Sequence, residues 1–324
     1  MTLESGCSAC AVPLTPLRPL EATVGPHRAA MIRSLEKQWI NGTTLRYCFL
    51  EKPALYRGEE AQKNATRAAF RTWKALGIWV SFQEVAVPQE AEIRISFQLG
   101  QSWSHIGRDC IDLKTPPSRP TMNLVGDLSD AVGRDIALHE VGHVLGFYHE
   151  HQKVRAQILT KVASAALEGS AWDPDSIMQY PFPAGLILQP ERYRTQPLIP
   201  KPGLSPTDVA RTQALYPPIR DQDLPLLQPY QSRSIDVVPG SQVDFAVSPP
   251  ESRVWTMQTF GAMDTVLALF EDWPDGQAYL PAADDSGSEK NARLAFRLER
   301  GRRYLLRLRL HYIRVAGEGA LMLW

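Results

Sequence analysis

The segment HEVGHVLGFYHEH, residues 139–151, gathers four of the chain's seven histidines, with glutamates among them, into apolar surroundings. Imidazole and carboxylate groups are costly to bury unless something pairs with them. The spacing points to a metal ion. His139 and His143 are four apart, so a helix sets both rings on one face, one turn apart. Their nitrogens then reach one ion at the ~2.0–2.1 Å that zinc requires. A third ligand cannot come from the same straight helix. Gly146 supplies the break, because glycine turns without a Cβ penalty, and His149 follows three residues later. Three neutral imidazoles and one open position make a catalytic zinc site. Thiolates are absent from the cluster and carboxylate ligands are scarce, which suits zinc better than calcium or magnesium. Glu140, beside the first ligand, is placed to take a proton from metal-bound water.

The flanking pattern gives this helix a mixed α and β setting. TTLRYCFLE (43–51) alternates like a strand, as do WVSFQEVAV and AEIRISFQ, and TMNLVG is a shorter one. Residues 58–78 carry Ala65, Ala68, Phe70, Trp73 and Leu76 at near-helical spacing and end near Gly77. SDAVGRDIALHEVGHVLG is the histidine helix, with Ser129 or Asp130 as N-cap and Gly146 as its stop. LSPTDVARTQALYP (204–217) is a further helix, capped by Ser205 with Pro206 in its first turn. Beyond the proline-rich stretch 217–229 the texture changes to short alternating strands separated by Gly, Asp and Pro turns, an all-β sandwich pattern. The expected fold class is therefore α+β: a mixed sheet plus active-site helix, followed by an all-β sandwich.

Composition narrows the partners. Lys plus Arg and Asp plus Glu both total 35 in 324 residues, which gives no support for a nucleic-acid partner or an anionic membrane surface. No apolar run approaches the ~18 residues of a membrane span. The N-terminal residues lack a basic region followed by an apolar core, so no signal peptide is visible. Four cysteines, Cys7, Cys10, Cys48 and Cys110, are too few for a disulfide scaffold, although a Cys48–Cys110 bridge is open. His27, His105, His151 and His311 read as surface or core histidines. Asn41 and Asn64 each begin a glycosylation sequon.

An HExxH alone arises by chance on many helices; Gly146 and His149 at fixed offsets make chance a poor explanation. HEVGHVLGFYHE is the long zinc signature of the metzincin metallopeptidases. His149-Glu150 resembles the astacin branch, and so does SIMQY, residues 176–180, which is similar to the astacin Met-turn. QWINGTTLRYCF, SWSHIGRD (with Ser102 where that family has a cysteine) and LSPTDVARTQALYP extend the resemblance over most of residues 39–217. It implies a zinc endopeptidase acting on protein or peptide substrates, secreted and monomeric. It implies Met178 as the floor of the site, against the plainer reading of a core methionine. Tyr180 would be a hydroxyl near the metal that stabilises an oxyanion. Glu150 would hold the N-terminus of a mature enzyme; otherwise it is a solvated or locally paired carboxylate. RAAMIRSLEKQW resembles the family's mature start, which implies that residues 1–28 would be a prosegment removed after Arg28, or else an arm. That segment has no aspartate to block a zinc but has Cys7 and Cys10, whose thiolates are candidate blocking ligands or incidental thiols. Pocket walls in 181–203, where Arg192 and Arg194 lie, would set substrate preference. The expected organisation is 1–28, a peptidase domain 29–217, a linker 218–229 and a β-sandwich 230–324. The sandwich resembles the prepeptidase C-terminal type, on FGAMDTVLALFED and DDSGSEKNARLAFRLERGRRYLLRLRL. There Asp264, Asp284 and Asp285 are either a calcium site or ordinary turn chemistry. One rival reading is a catalytically idle zinc module whose sandwich binds a partner; Glu140 argues against it, because an idle site has no need of a base. The other is a peptidase of another metzincin branch, against which the SIMQY tyrosine and His149-Glu150 favour astacin.

Overall fold

The computed structural model describes residues 37–39, 41–113, 115–150, 172–187, 190–217, 224–238, 242–273, 276–284, 291–310 and 316–324. The chain divides into two compact units, Met1–Pro218 and Ile219–Trp324. The first is α+β and the second all-β.

In the first unit, strands β1 (Thr44–Phe49), β2 (Ser81–Glu84), β3 (Ile93–Ser96), β4 (Trp103–Ser104) and β5 (Met122–Asn123) form one sheet in the order β2-β1-β3-β5-β4. All neighbours are parallel except β4, which runs antiparallel to β5 at the edge. The alternation of β1 is imperfect because both faces are covered. Tyr47 stacks on Phe70 with ring centroids 4.3 Å apart in the main core. Cys48 points into a separate small cluster with Leu50, Tyr56 and Ala91.

Helix α1 (Glu60–Lys74) opens with a capping box between Glu59 and Gln62. It buries Thr66, Ala69, Phe70 and Trp73, a stripe at helical spacing. Short helix α2 (Asp109–Asp112) follows the SWSHIGR stretch. Helix α3 (Ala131–Val144) starts at Asp130, whose carboxylate accepts from the Gly133 N–H at 2.7 Å. Every residue from Ala137 to Val144 is buried, so the histidine helix is a core helix rather than an amphipathic one. Helix α4 (Pro206–Leu215) is capped by Ser205, in a box with Asp208. Cys48 and Cys110 lie in different apolar clusters and are not bridged. Burial pushes the Cys48 thiol up to about 11.

In the second unit, β6 (Arg233–Val237), β7 (Gln242–Val247), β8 (Arg253–Phe260), β9 (Thr265–Trp273), β10 (Gly276–Asp284), β11 (Arg293–Leu298), β12 (Tyr304–Leu310) and β13 (Gly317–Leu323) form two antiparallel sheets. Their orders are β10-β9-β12-β7 and β11-β8-β13-β6. One apolar core draws Leu267, Leu269, Leu306 and Leu308 from the first and Trp255, Met257, Leu294 and Leu321 from the second, which makes the unit a sandwich. The alternating pattern misses two strands. In β10 the pairing with β9 shifts register between Tyr279 and Ala282, the bulge that admits Pro281. In β13 the pattern is diluted by Gly317 and Gly319, where an added Cβ would lie 2.7 and 2.5 Å from the Met263 side chain. Within β12 the fully buried Arg307 forks onto Asp244 with both contacts at 2.8 Å.

Trp73 joins α1 to the histidine helix. It is fully buried, and its indole N–H donates to the Leu138 carbonyl at 3.0 Å. Trp73→Ala is expected to lower the unfolding free energy by about 3–5 kcal/mol, measured by urea denaturation. A loss under about 1 kcal/mol, typical of an exposed site, would contradict this placement.

Candidate metal centre

Helix α3 ends at Leu145, and Gly146 takes the left-handed conformation with φ +92°. The chain reverses there and carries His149 back over the helix. The His149 Nε2 lies 2.9 Å from that of His143 and 3.2 Å from that of His139. All three rings are buried. The His139 Nδ1 sits 2.7 Å from the Ile177 carbonyl, and the His143 Nδ1 sits 2.7 Å from the Phe147 carbonyl. A carbonyl only accepts, so in His139 and His143 the Nδ1 carries the proton and the Nε2 presents a lone pair. Lone pairs turned toward one point repel unless a proton or a cation lies between them. Tetrahedral zinc ligands at ~2.0–2.1 Å have nitrogens about 3.3 Å apart, so the set fits zinc. Among the described residues, this is the one group of three or more His, Cys, Asp or Glu side chains that suits an ion. Of the alternative calcium set, Asp285 and the side chain of Asp284 lie outside what the structure describes.

The geometry is held from several directions. The last carbonyls of a helix need outside donors. The Gly142 carbonyl accepts from the Phe147 N–H at 3.1 Å, and that of His143 accepts from the N–H groups of Gly107 and Gly146, each at 2.8 Å. The Val144 carbonyl accepts from the Trp39 indole at 2.6 Å, and that of Leu145 accepts from the Tyr216 hydroxyl at 2.8 Å. Gly107 has φ +50°, and a Cβ there would lie 1.7 Å from the Lys37 carbonyl oxygen. That close approach brings its N–H to the helix end.

Met178 lies directly under the helix, since a Cβ on Gly142 would stand 2.4 Å from its Sδ. The turn around it is fixed from α4. Asp208 accepts from the Ser176 hydroxyl at 2.6 Å and from the Ile177 N–H at 2.8 Å. The Tyr180 hydroxyl lies 2.9 Å from the His149 Nε2, facing the same point as the three nitrogens. Glu140 is buried. Glu150 is buried too; its N–H donates to the Met178 carbonyl at 3.0 Å, and its carboxylate accepts from the Arg211 guanidinium.

Other candidates fall elsewhere. His105 is a core histidine, which burial, with Arg94 and Lys37 nearby, pushes down to about 4. Ser102 uses its hydroxyl to accept from the Val125 N–H at 3.0 Å. Arg192 stacks on Tyr193 at 4.6 Å and donates to its hydroxyl, while Arg194 faces Glu191 at 3.6 Å. The Asn41 sequon is corrected: its side chain is buried and donates to the Pro217 carbonyl at 2.6 Å, so it is not presented as a glycan acceptor. Asn64 is exposed. Cys7, Cys10, His27, Arg28, His151 and His311 lie outside the described residues.

Residues 31–173 match the family model described as Astacin, a peptidase family. The first unit is astacin-like. Zinc metalloproteinase nas-2 of Caenorhabditis elegans is 29% identical over 151 residues, covering 42% of this chain and 48% of that protein. The chain thus spans about half the length of this curated relative. Among solved structures, myroilysin is similar at 22% identity over 58% of this chain and 98% of that one, with a TM-score of 0.44. The pre-peptidase C-terminal domain of collagenase from Bacillus anthracis is similar at 12% identity over 33% of this chain and 99% of that one, with a TM-score of 0.27.

In the astacin-like unit, Gly142 and Met178 make a testable pair. Gly142→Ala is expected to cost about 1–3 kcal/mol in urea unfolding, because the new methyl meets the thioether. In a Met178→Ala background it should cost less, with a coupling of ~0.5–3 kcal/mol. Strictly additive costs would contradict the contact.

Proposed function

We propose that the chain is a zinc endopeptidase in which His139, His143 and His149 hold one ion. The convergence of their three Nε2 atoms within hydrogen-bonding distance carries this reading. A zinc ion bound there supplies Lewis-acid polarisation of the scissile carbonyl and a water with a pKa near ~7. Glu140, next to the first ligand, takes the proton of the attacking water on its carboxylate and delivers it to the leaving amine nitrogen. Its burial beside His139 on the ligand helix supports that role. The Tyr180 hydroxyl donates to the oxygen that gains charge as the carbonyl is attacked. Met178 packs under the ligand helix and fixes the floor.

Protein or peptide chains are the substrates in this reading, and the enzyme is a secreted monomer. Its domains are an arm at 1–28, a peptidase domain at 29–217, a linker at 218–229 and a β-sandwich at 230–324. Latency is part of the same reading: a thiolate of Cys7 or Cys10 would be a further ligand to the ion until the chain is cut behind Arg28, after which the new N-terminus would approach Glu150. Glu140 favours this reading over an idle zinc module.

Glu140→Ala is expected to retain zinc and lose about 10²–10⁴-fold in cleavage of a mixed peptide library, assayed after trimming behind Arg28. Equal cleavage by wild type and variant would remove Glu140 from its role.

A further inference from the structure

The ligand rings are held from behind at more than one point. His139 and His143 each give Nδ1 a backbone carbonyl, at 2.7 Å in both cases. His149 stands on a turn after the helix, beyond Gly146. The residue that follows it is Glu150, whose side chain is buried and bound by Arg211. Arg211 belongs to α4 and lies three residues after Asp208, so one face of one helix turns both side chains the same way. Asp208 grips Ser176 and Ile177, and the Ile177 carbonyl in turn receives His139. Arg211 grips Glu150, whose own N–H is tied to the Met178 carbonyl at 3.0 Å. Glu150 also faces the Asp173 N–H at 3.5 Å, and Asp173 accepts from Ser205, the cap of the same helix, at 2.6 Å.

We propose that Arg211 is a positioning residue for the metal centre, holding His149 in place through the carboxylate of Glu150. The proposal rests on the zinc reading above. Helix α4 then steadies two ligands: His139 through Asp208 and Ile177, and His149 through Arg211 and Glu150. The pair suits the task because a guanidinium is permanently charged and presents a rigid fork of donors. The contact makes no demand on the reacting groups, so Arg211 acts through the ligand and touches neither ion nor substrate.

The test uses the full chain stripped of metal. Arg211→Met alone would strand a buried carboxylate and can fail to fold. The informative variant is therefore the double Glu150→Gln, Arg211→Met, with Glu150→Gln alone as a milder, near-isosteric version. Zinc affinity is read by competition with a chromophoric chelator, and ligand geometry by the visible absorption of the cobalt(II)-loaded protein. Both variants are expected to bind zinc more weakly, the double by about 10–100-fold, and to shift the cobalt band. Arg211→Lys keeps a cation against Glu150 and is expected to stay within about threefold of wild type. A purely architectural role would lower the melting temperature of the metal-free protein and leave the cobalt band where it is. Zinc affinity within about twofold of wild type in both neutral variants, with an unmoved band, would overturn the proposal. A wild-type chain that takes up no zinc at all would overturn the metallopeptidase reading itself, and this inference with it.

Discussion

Three imidazole Nε2 atoms gathered on one point, 2.9 and 3.2 Å apart along two edges, with the lone pairs of His139 and His143 turned inward, are the constraint on which the rest of the first unit depends. Left alone, the inward lone pairs of His139 and His143 repel. A cation reverses the sign of the interaction, and its binding energy then becomes available to the fold. That gain is real only if the rings are aimed before the ion arrives, because every ring that must be ordered on binding subtracts from it. The surroundings of the site read as the means of that aiming. Backbone carbonyls take the outer nitrogens of His139 and His143, Met178 packs beneath Gly142, and α4 reaches the remaining turns.

The end of the ligand helix shows how much of the unit is committed to this. A helix leaves its final carbonyls without internal partners, and burial makes that expensive. Here donors arrive from Trp39 near the start of the described chain, from Gly107 after the edge strand, from Phe147 in the turn itself and from Tyr216 after α4. Segments remote in sequence therefore meet at one helix end, immediately before the glycine that redirects the chain toward His149. The break at Gly146 is both a stop for the helix and the pivot of the metal site.

The part of the site that repeats at short range is legible in the sequence. His139 and His143 at helical spacing, the glycine stop and the returning His149 are local, and each follows from backbone geometry. So are the capped start of α4 and the alternation of β8 and β12. What is not legible is whatever joins distant segments. Arg211 meets Glu150 across 61 positions and Trp39 meets Val144 across 105, and no periodicity announces either contact. Strand β10 hides behind a proline that a bulge accommodates, and β13 hides behind glycines that make room for Met263. The two-residue edge strand β4 is too short to alternate at all. Local chemistry names the ligands; tertiary contacts decide how firmly they are held.

The most direct test of the central claim is zinc K-edge X-ray absorption on the purified chain, trimmed behind Arg28, after equilibration with one equivalent of zinc. The account predicts one tightly held zinc per chain, with an imidazole scattering pattern and a nitrogen and oxygen shell at ~2.0–2.1 Å. A chain that retains no zinc, or a zinc whose shell lacks imidazole, would contradict it.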